Sequence, residues 1–214
     1  MKQTFKSKVL LYLLGLLLMT IGISISIKSN FGVSPVSSIP YTITMVFGLE
    51  MGKATILFHV MLVMLQLVLL RREFELLQLW QVVVGVVFGY FTTFSNWMMS
   101  FLPTPHTMPV RLLLIIVSMC FIAWGIFLYV PTNLVPLAGE GIIKVVSDLL
   151  HVSFPHAKMS FDAGMVVFSL IACLSVLHEL GSVGLGTVVA AFGVGAILNG
   201  ITKLFGNWRY GLEH

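Results

Sequence analysis

Asn133–Asp162 reads NLVPLAGEGIIKVVSDLLHVSFPHAKMSFD, and the fold is decided by how this stretch is read. It lies between two long apolar runs, yet it carries Glu140, Lys144, Asp148, His151, His156, Lys158 and Asp162. Charge at the depth of a bilayer core is costly, so ionisable residues set among membrane-grade segments mark a candidate functional site.

Working outward, the flanking runs give the class. Of 214 residues, 58% are hydrophobic and 9% charged, with a mean hydropathy of +1.03; a soluble domain carries roughly 25% charged residues. The sequence is that of an integral membrane protein. Six runs reach the ~20 residues that a helix needs to cross the hydrocarbon core, and two shorter ones do not. The net charge of +4 gathers at the ends and loops, with Lys2, Lys6 and Lys8 leading and Lys203 and Arg209 closing. Such termini are cytoplasmic anchors and not a nucleic-acid surface. Cys120 and Cys173 sit inside apolar runs without metal-ligand spacing, and are read as buried small hydrophobes, not as a disulfide. Val9–Ile27 is followed by no small-residue cleavage site, so it is expected to be a retained first span. Leu212-Glu213-His214 resembles a tag scar.

In chain order the sequence predicts a long helix over Val9–Ile27, a short half-polar helix over Ser34–Phe47, and long helices over Ala54–Leu70 and Leu76–Leu102. After Pro103, Pro105 and Pro109 the pattern returns: long Val110–Val130, short and charged Leu137–Leu150, long Ala157–Leu177 and Ser182–Phe205. An offset of 103 residues lays Gly22 on Gly125, Asn30 on Asn133 and Phe58-His59 on Phe161-Asp162. The expected fold is an all-α polytopic membrane protein of two tandem pseudo-symmetric repeats. Each repeat is a long helix, a short helix, then two long helices, and interrupted helices of this kind are common in transporters. The expected organisation is a basic cytoplasmic N-terminus (1–8), a first membrane repeat (9–102), a Pro-rich linker (103–109), a second repeat (110–205) and a C-terminal tail with the scar (206–214).

Topology turns on the short helices. If they re-enter, each half has three spans and the repeats are inverted; if they cross, each has four and the repeats are parallel. The distribution of Lys and Arg between the two sides fits both arrangements equally.

The turn Asn30-Phe31-Gly32-Val33-Ser34-Pro35 after Gly22, with Gly139-Glu140-Gly141, Asp148 and Asp162 in the second half, resembles the bacterial YczE/YitT group of small membrane proteins. The resemblance implies the architecture above, a multi-pass protein of the bacterial cytoplasmic membrane with its N-terminus inside, and a basic Arg71-Arg72 loop that favours re-entry. It implies no activity. The second-half turn departs from the Gly-Gly-x-Asp of the YitT branch.

On the short second-half helix, Glu140, Lys144, Asp148 and His151 share one face, and Glu140 N-terminal to Lys144 is the favourable order for an intrahelical pair. Such a face either lies in the interface or lines an aqueous cavity, since irregular backbone at membrane depth needs protein or water to satisfy it. Glu140 falls in the first turn, where the helix dipole stabilises a carboxylate. The first-half counterpart offers Ser34, Ser37 and Ser38 and no charge, which predicts one main site. His59 and Asp162 occupy equivalent positions and would form a proton-coupling pair if brought together. The candidate binding or coupling set is therefore Glu140, Lys144, Asp148, Asp162, His59, Asn30, Asn133, Ser37 and Ser38. No metal site is predicted, because His151, His156 and Asp162 lack ligand spacing. No cofactor and no catalytic residue is predicted either, since phosphate-loop and nucleophile-elbow patterns are absent. The Gly-rich stretch Gly181–Gly200 reads as close helix packing, with self-association through the last helix as one outcome.

These features predict a small permease or channel-like carrier for a small polar or anionic solute, with the site between the two short helices. The alternative is a non-transporting accessory or scaffold that binds partner proteins or lipid. An intramembrane enzyme finds no support in the residues.

Overall fold

The computed structural model describes residues 5–213, with side chains for all of these except 155 and 206–213. The expectations for Lys2, for the side chain of Arg209 and for the terminal scar thus fall outside the described residues. The regular elements of the described chain are all helices: α1 (Phe5–Ser29), α2 (Pro35–Phe47), α3 (Met51–Leu70), α4 (Trp80–Ser100), α5 (Met108–Tyr129), α6 (Ala138–Leu150), α7 (Phe154–Val176) and α8 (Leu185–Glu213). Arg71–Glu73, Leu76–Leu79 and Val130–Thr132 form short 3-10 turns. Six segments, built on α1, α3, α4, α5, α7 and α8, are long and apolar enough to cross a membrane. By contrast α2 and α6, at 13 residues each, reach only about 20 Å of the roughly 30 Å core. The protein is an all-helical multi-pass membrane protein.

Local chemistry sets the ends. Asn30 and Asn133 close the first and fifth helices in the left-handed region, at φ 51° and 52°, where Asn is among the few residues tolerated. Pro35 opens α2 at a position that has no use for a backbone N–H.

The offset of 103 residues reaches well beyond those two asparagines. It carries Pro35–Phe47 onto Ala138–Leu150 from end to end, and the start of α3 at Met51 onto the start of α7 at Phe154. The Asn30 N–H donates to the Ile27 carbonyl at 3.1 Å, as the Asn133 N–H does to that of Val130 at 3.3 Å. Ser29 Oγ donates to the Ser26 carbonyl at 2.6 Å, and its counterpart Thr132 Oγ1 to that of Tyr129 at 2.7 Å. Gly48, with φ 66°, has His151, with φ 53°, at the matching end of α6.

The chain divides into two compact units, each drawing on both halves of the sequence. The first comprises Met1–Ser34, Phe94–Leu134 and Gly184–His214. Here α1 packs on α5, and small residues set the seam. A Cβ on Gly15 would fall 2.8 Å from the Gly125 carbonyl oxygen, and one on Gly22 would fall 2.8 Å from that of Ser118. Residue numbers rise along one helix as they fall along the other, so α1 and α5 are antiparallel. Helix α8 packs on α5, around Ala123, Phe127, Leu128 and Ile201. Gly186 of this helix and Gly184 just before it lie on the Phe31 backbone, with the Gly186 N–H donating to the Phe31 carbonyl at 2.8 Å. Gly193 fits against Met119, but Gly195 and Gly200 meet nothing within 4 Å, so part of the expected packing face is open.

The second unit comprises Pro35–Thr93 and Val135–Val183. Its core gathers Phe58, Leu62, Val63, Ala138, Ile142, Ile143, Ala157 and Met165. Within it α2 packs on α3 and α7, and α6 packs on the same two helices. Antiparallel α3 and α4 approach at Gly52, Gly85 and Gly89.

Candidate functional site

The site is assembled from residues of the second unit alone. At its centre, the first turns of the two short helices meet: Gly139 of α6 lies at van der Waals distance from Val36 of α2, with 4.0 Å between an added Cβ and Val36 Cγ1. These two residues are counterparts under the 103-residue offset. Both helices therefore bring their positive dipole ends toward one place.

Two amide side chains close around the first turn of α6. Gln66 of α3 is fully buried and Gln81 of α4 is 3% exposed. Gln66 Nε2 donates to Gln81 Oε1 at 2.9 Å and to the Ala138 carbonyl at 3.2 Å. Gly141, the fourth residue of α6, makes room for the pair, since a Cβ there would fall 2.6 Å from Gln81 Oε1 and 3.0 Å from Gln66 Oε1. Gln66 Oε1 is buried with no hydrogen-bond partner. A buried unsatisfied acceptor costs about 1–3 kcal/mol, and a span core has no bulk water to offset it. Glu140 stands half-buried beside Gly141 in the same turn.

The corresponding face of α2 is hydroxylic and mostly self-contained. Ser38 is fully buried and Ser37 nearly so. Ser38 Oγ donates to the Pro35 carbonyl at 2.7 Å, and Thr42 Oγ1 donates to that of Ser38 at 2.8 Å. Because that hydroxyl has used its proton, the Ser182 hydroxyl 2.7 Å away donates to it. Cys173 Sγ lies 3.6 Å from Thr42 Oγ1. Ser169, the counterpart of Gln66 under the same offset, is also fully buried with its Oγ unpartnered.

The remaining predicted residues fall in several places. Lys144 and Asp148 are exposed, as is His151 at the left-handed end of α6. His59 is buried, with Nδ1 2.8 Å from the Thr55 carbonyl and its ring packed between Gly85 and Phe88. Asp162 pairs with Lys158 at 3.0 Å while its Oδ1 is buried without a hydrogen bond. No hydrogen bond or ion pair among the described residues joins His59 to Asp162. His156 Nδ1 lies 2.6 Å from Ser153 Oγ at the start of α7. Asn30 and Asn133 are exposed and serve as helix ends. Glu140, Ser37 and Ser38 thus lie on the two short helices that approach at Gly139 and Val36, and Gln66, Gln81 and Gly141, which sequence reasoning passed over, gather at the first turn of α6. Among the described residues, no group of three or more His, Cys, Asp or Glu side chains is arranged to hold a metal ion.

Six apolar helices and two short ones that stop inside the span length define a multi-pass helical membrane protein. The chain belongs to DUF6198, a family of unknown function, which it matches over residues 6–203. It is also similar to the uncharacterized protein YyaS of Bacillus subtilis (strain 168), with 20% identity over 196 residues covering 90% of each chain. No solved structure matches it.

Proposed function

We propose that the protein is a small permease for a small polar solute, built from two inverted repeats and carrying its site where α2 and α6 meet. The observation that carries this reading is the buried Gln66–Gln81 pair on the first turn of α6, a helix too short to span, with one amide oxygen left open. Interrupted helices whose N-termini converge between repeats are how many transporters bind solutes near the midplane. The inverted arrangement is supported by antiparallel α1 and α5: three spans in each half produce that orientation, whereas four would make them parallel. On this reading the short helices re-enter, the N-terminus lies inside the bacterial cytoplasmic membrane, and no catalytic residue or cofactor takes part. The likeness of the Asn30–Pro35 turn to the YczE/YitT group supports the same architecture.

The test is a thermal-shift screen of purified protein against small metabolites and ions. A ligand at 100 times its Kd stabilises by about 2.7 kcal/mol, so a solute that raises Tm for the parent but not for Glu140→Gln supports the site. A solute that raises both equally refutes it.

The accessory reading rests on a different observation. Gly195 and Gly200 on α8 have open space before them, a surface on which a second copy or another membrane helix would pack closely.

A further inference from the structure

We infer that the solute is a hydrogen-bond donor and not an anion that carries acceptors alone; this deepens the permease reading and rests on it. Each polar group on this site's walls has a definite requirement. Gln66 spends its N–H donors on Gln81 Oε1 and the Ala138 carbonyl, so the amide turns an acceptor, Oε1, toward the first turn of α6 with nothing donating to it. An anion without an O–H or N–H, such as nitrate or chloride, brings only acceptors and leaves that oxygen unserved, whereas a hydroxyl, amide or ammonium-type N–H satisfies it. The convergent helix ends would by themselves favour an anion, but Glu140 already sets a carboxylate in the first turn of α6.

Among the described residues no basic group donates to Gln66 Oε1. On the same unit Lys144 is exposed on α6, and Lys158 is held by Asp162 at 3.0 Å. His59 is turned to the Thr55 carbonyl and packed against Phe88. The counterpart position agrees in kind: Ser169, fully buried with its hydroxyl unpartnered, offers a neutral oxygen and no positive charge.

The test is stopped-flow light scattering on proteoliposomes of the full chain. The donor probes are xylitol, urea and guanidinium; the donor-free anion probes are nitrate and chloride, with potassium and valinomycin clearing the charge. At least one donor probe is expected to enter at least about fivefold faster than into protein-free liposomes, with both anions at background. Gln66→Met removes the acceptor and brings that flux to background. Gln66→Glu retains acceptor oxygens and shifts preference toward guanidinium over xylitol; it keeps the test valid if the Met variant does not fold, as judged by size-exclusion profile. Nitrate or chloride entry with the donor probes at background overturns the donor assignment and leaves the permease reading standing. Background rates for all five probes overturn the permease reading itself. Donor flux unchanged in a folded Gln66→Met variant overturns the assignment of Gln66.

Discussion

Gly15 and Gly125 abut across α1 and α5, each in the position where the other's side chain would be: an added Cβ on Gly125 falls 2.6 Å from the Gly15 carbonyl oxygen, and one on Gly15 falls 2.8 Å from that of Gly125. Backbone cannot yield as a flexible side chain does. Gly125→Ala is expected to cost about 1–3 kcal/mol through overpacking. Gly195→Ala, facing open space on α8, stays within about 0.5 kcal/mol of the parent. Thermal melts of the two variants in one detergent check the contrast.

At the site the obstruction is of another kind. A methyl group on Gly141 meets the mobile ends of Gln66 and Gln81, at 3.0 Å and 2.6 Å. The chain can accommodate Gly141→Ala by displacing the amides, so the expected outcome is a folded protein that has lost solute binding or flux. Glu140→Gln should behave alike, because it keeps shape and hydrogen-bonding capacity while removing charge. Size-exclusion profile and ligand response, measured together, check both variants.

The two lysines near the site should separate cleanly. Lys144 is exposed, so Lys144→Met is expected to change stability by less than about 0.5 kcal/mol. Lys158 serves the one Asp162 oxygen that has a partner, the other being buried without a hydrogen bond. The pair is 44% and 19% exposed, and its loss in Lys158→Met is expected to cost up to about 1 kcal/mol. Melting temperatures of the two variants, compared at low and high salt, check this ordering.

Cysteine labelling tests the inverted arrangement. In a background with Cys120 replaced, Asn30→Cys should react from one side of the membrane and both Arg72→Cys and Asn133→Cys from the other. All three positions are exposed. Labelling of all three from the same side would mean that α2 and α6 cross and that the repeats are parallel.

Much of this was legible in the residues. Apolar runs located six spans, and Gly22, Gly125, Asn30 and Asn133 revealed the offset that the helix ends obey, because glycine seams and left-handed turns leave few substitutes. Glu140 drew attention to the first turn of α6. The spacing of Lys144, Asp148 and His151 marked one face of that helix, but spacing alone does not say whether a face looks inward, and here those side chains are exposed. Gln66 and Gln81 escaped notice because an uncharged amide barely lowers the average hydropathy of a 20-residue span. Their signal was present nonetheless: a polar side chain inside a span needs a partner. His59 and Asp162 are equivalent by position, yet equivalence across an offset does not bring residues into contact.

The interleaving of the two compact units bears on how the chain is made. Neither half alone supplies a complete unit: α1 lacks α5 and α8 until the second half has been synthesised, and α2 and α3 lack α6 and α7. The ribosome therefore releases a first half in which Gly15 and Gly22 lack their α5 seam and Gln66 lacks the Ala138 carbonyl until the counterpart is inserted. The Pro-rich segment from Pro103 to Thr107, exposed except at Pro105, then acts mainly as a tether that raises the effective concentration of one half for the other. Severing it genetically should yield two fragments that are each degraded when expressed alone and that assemble into a working protein when they are produced in the same cell.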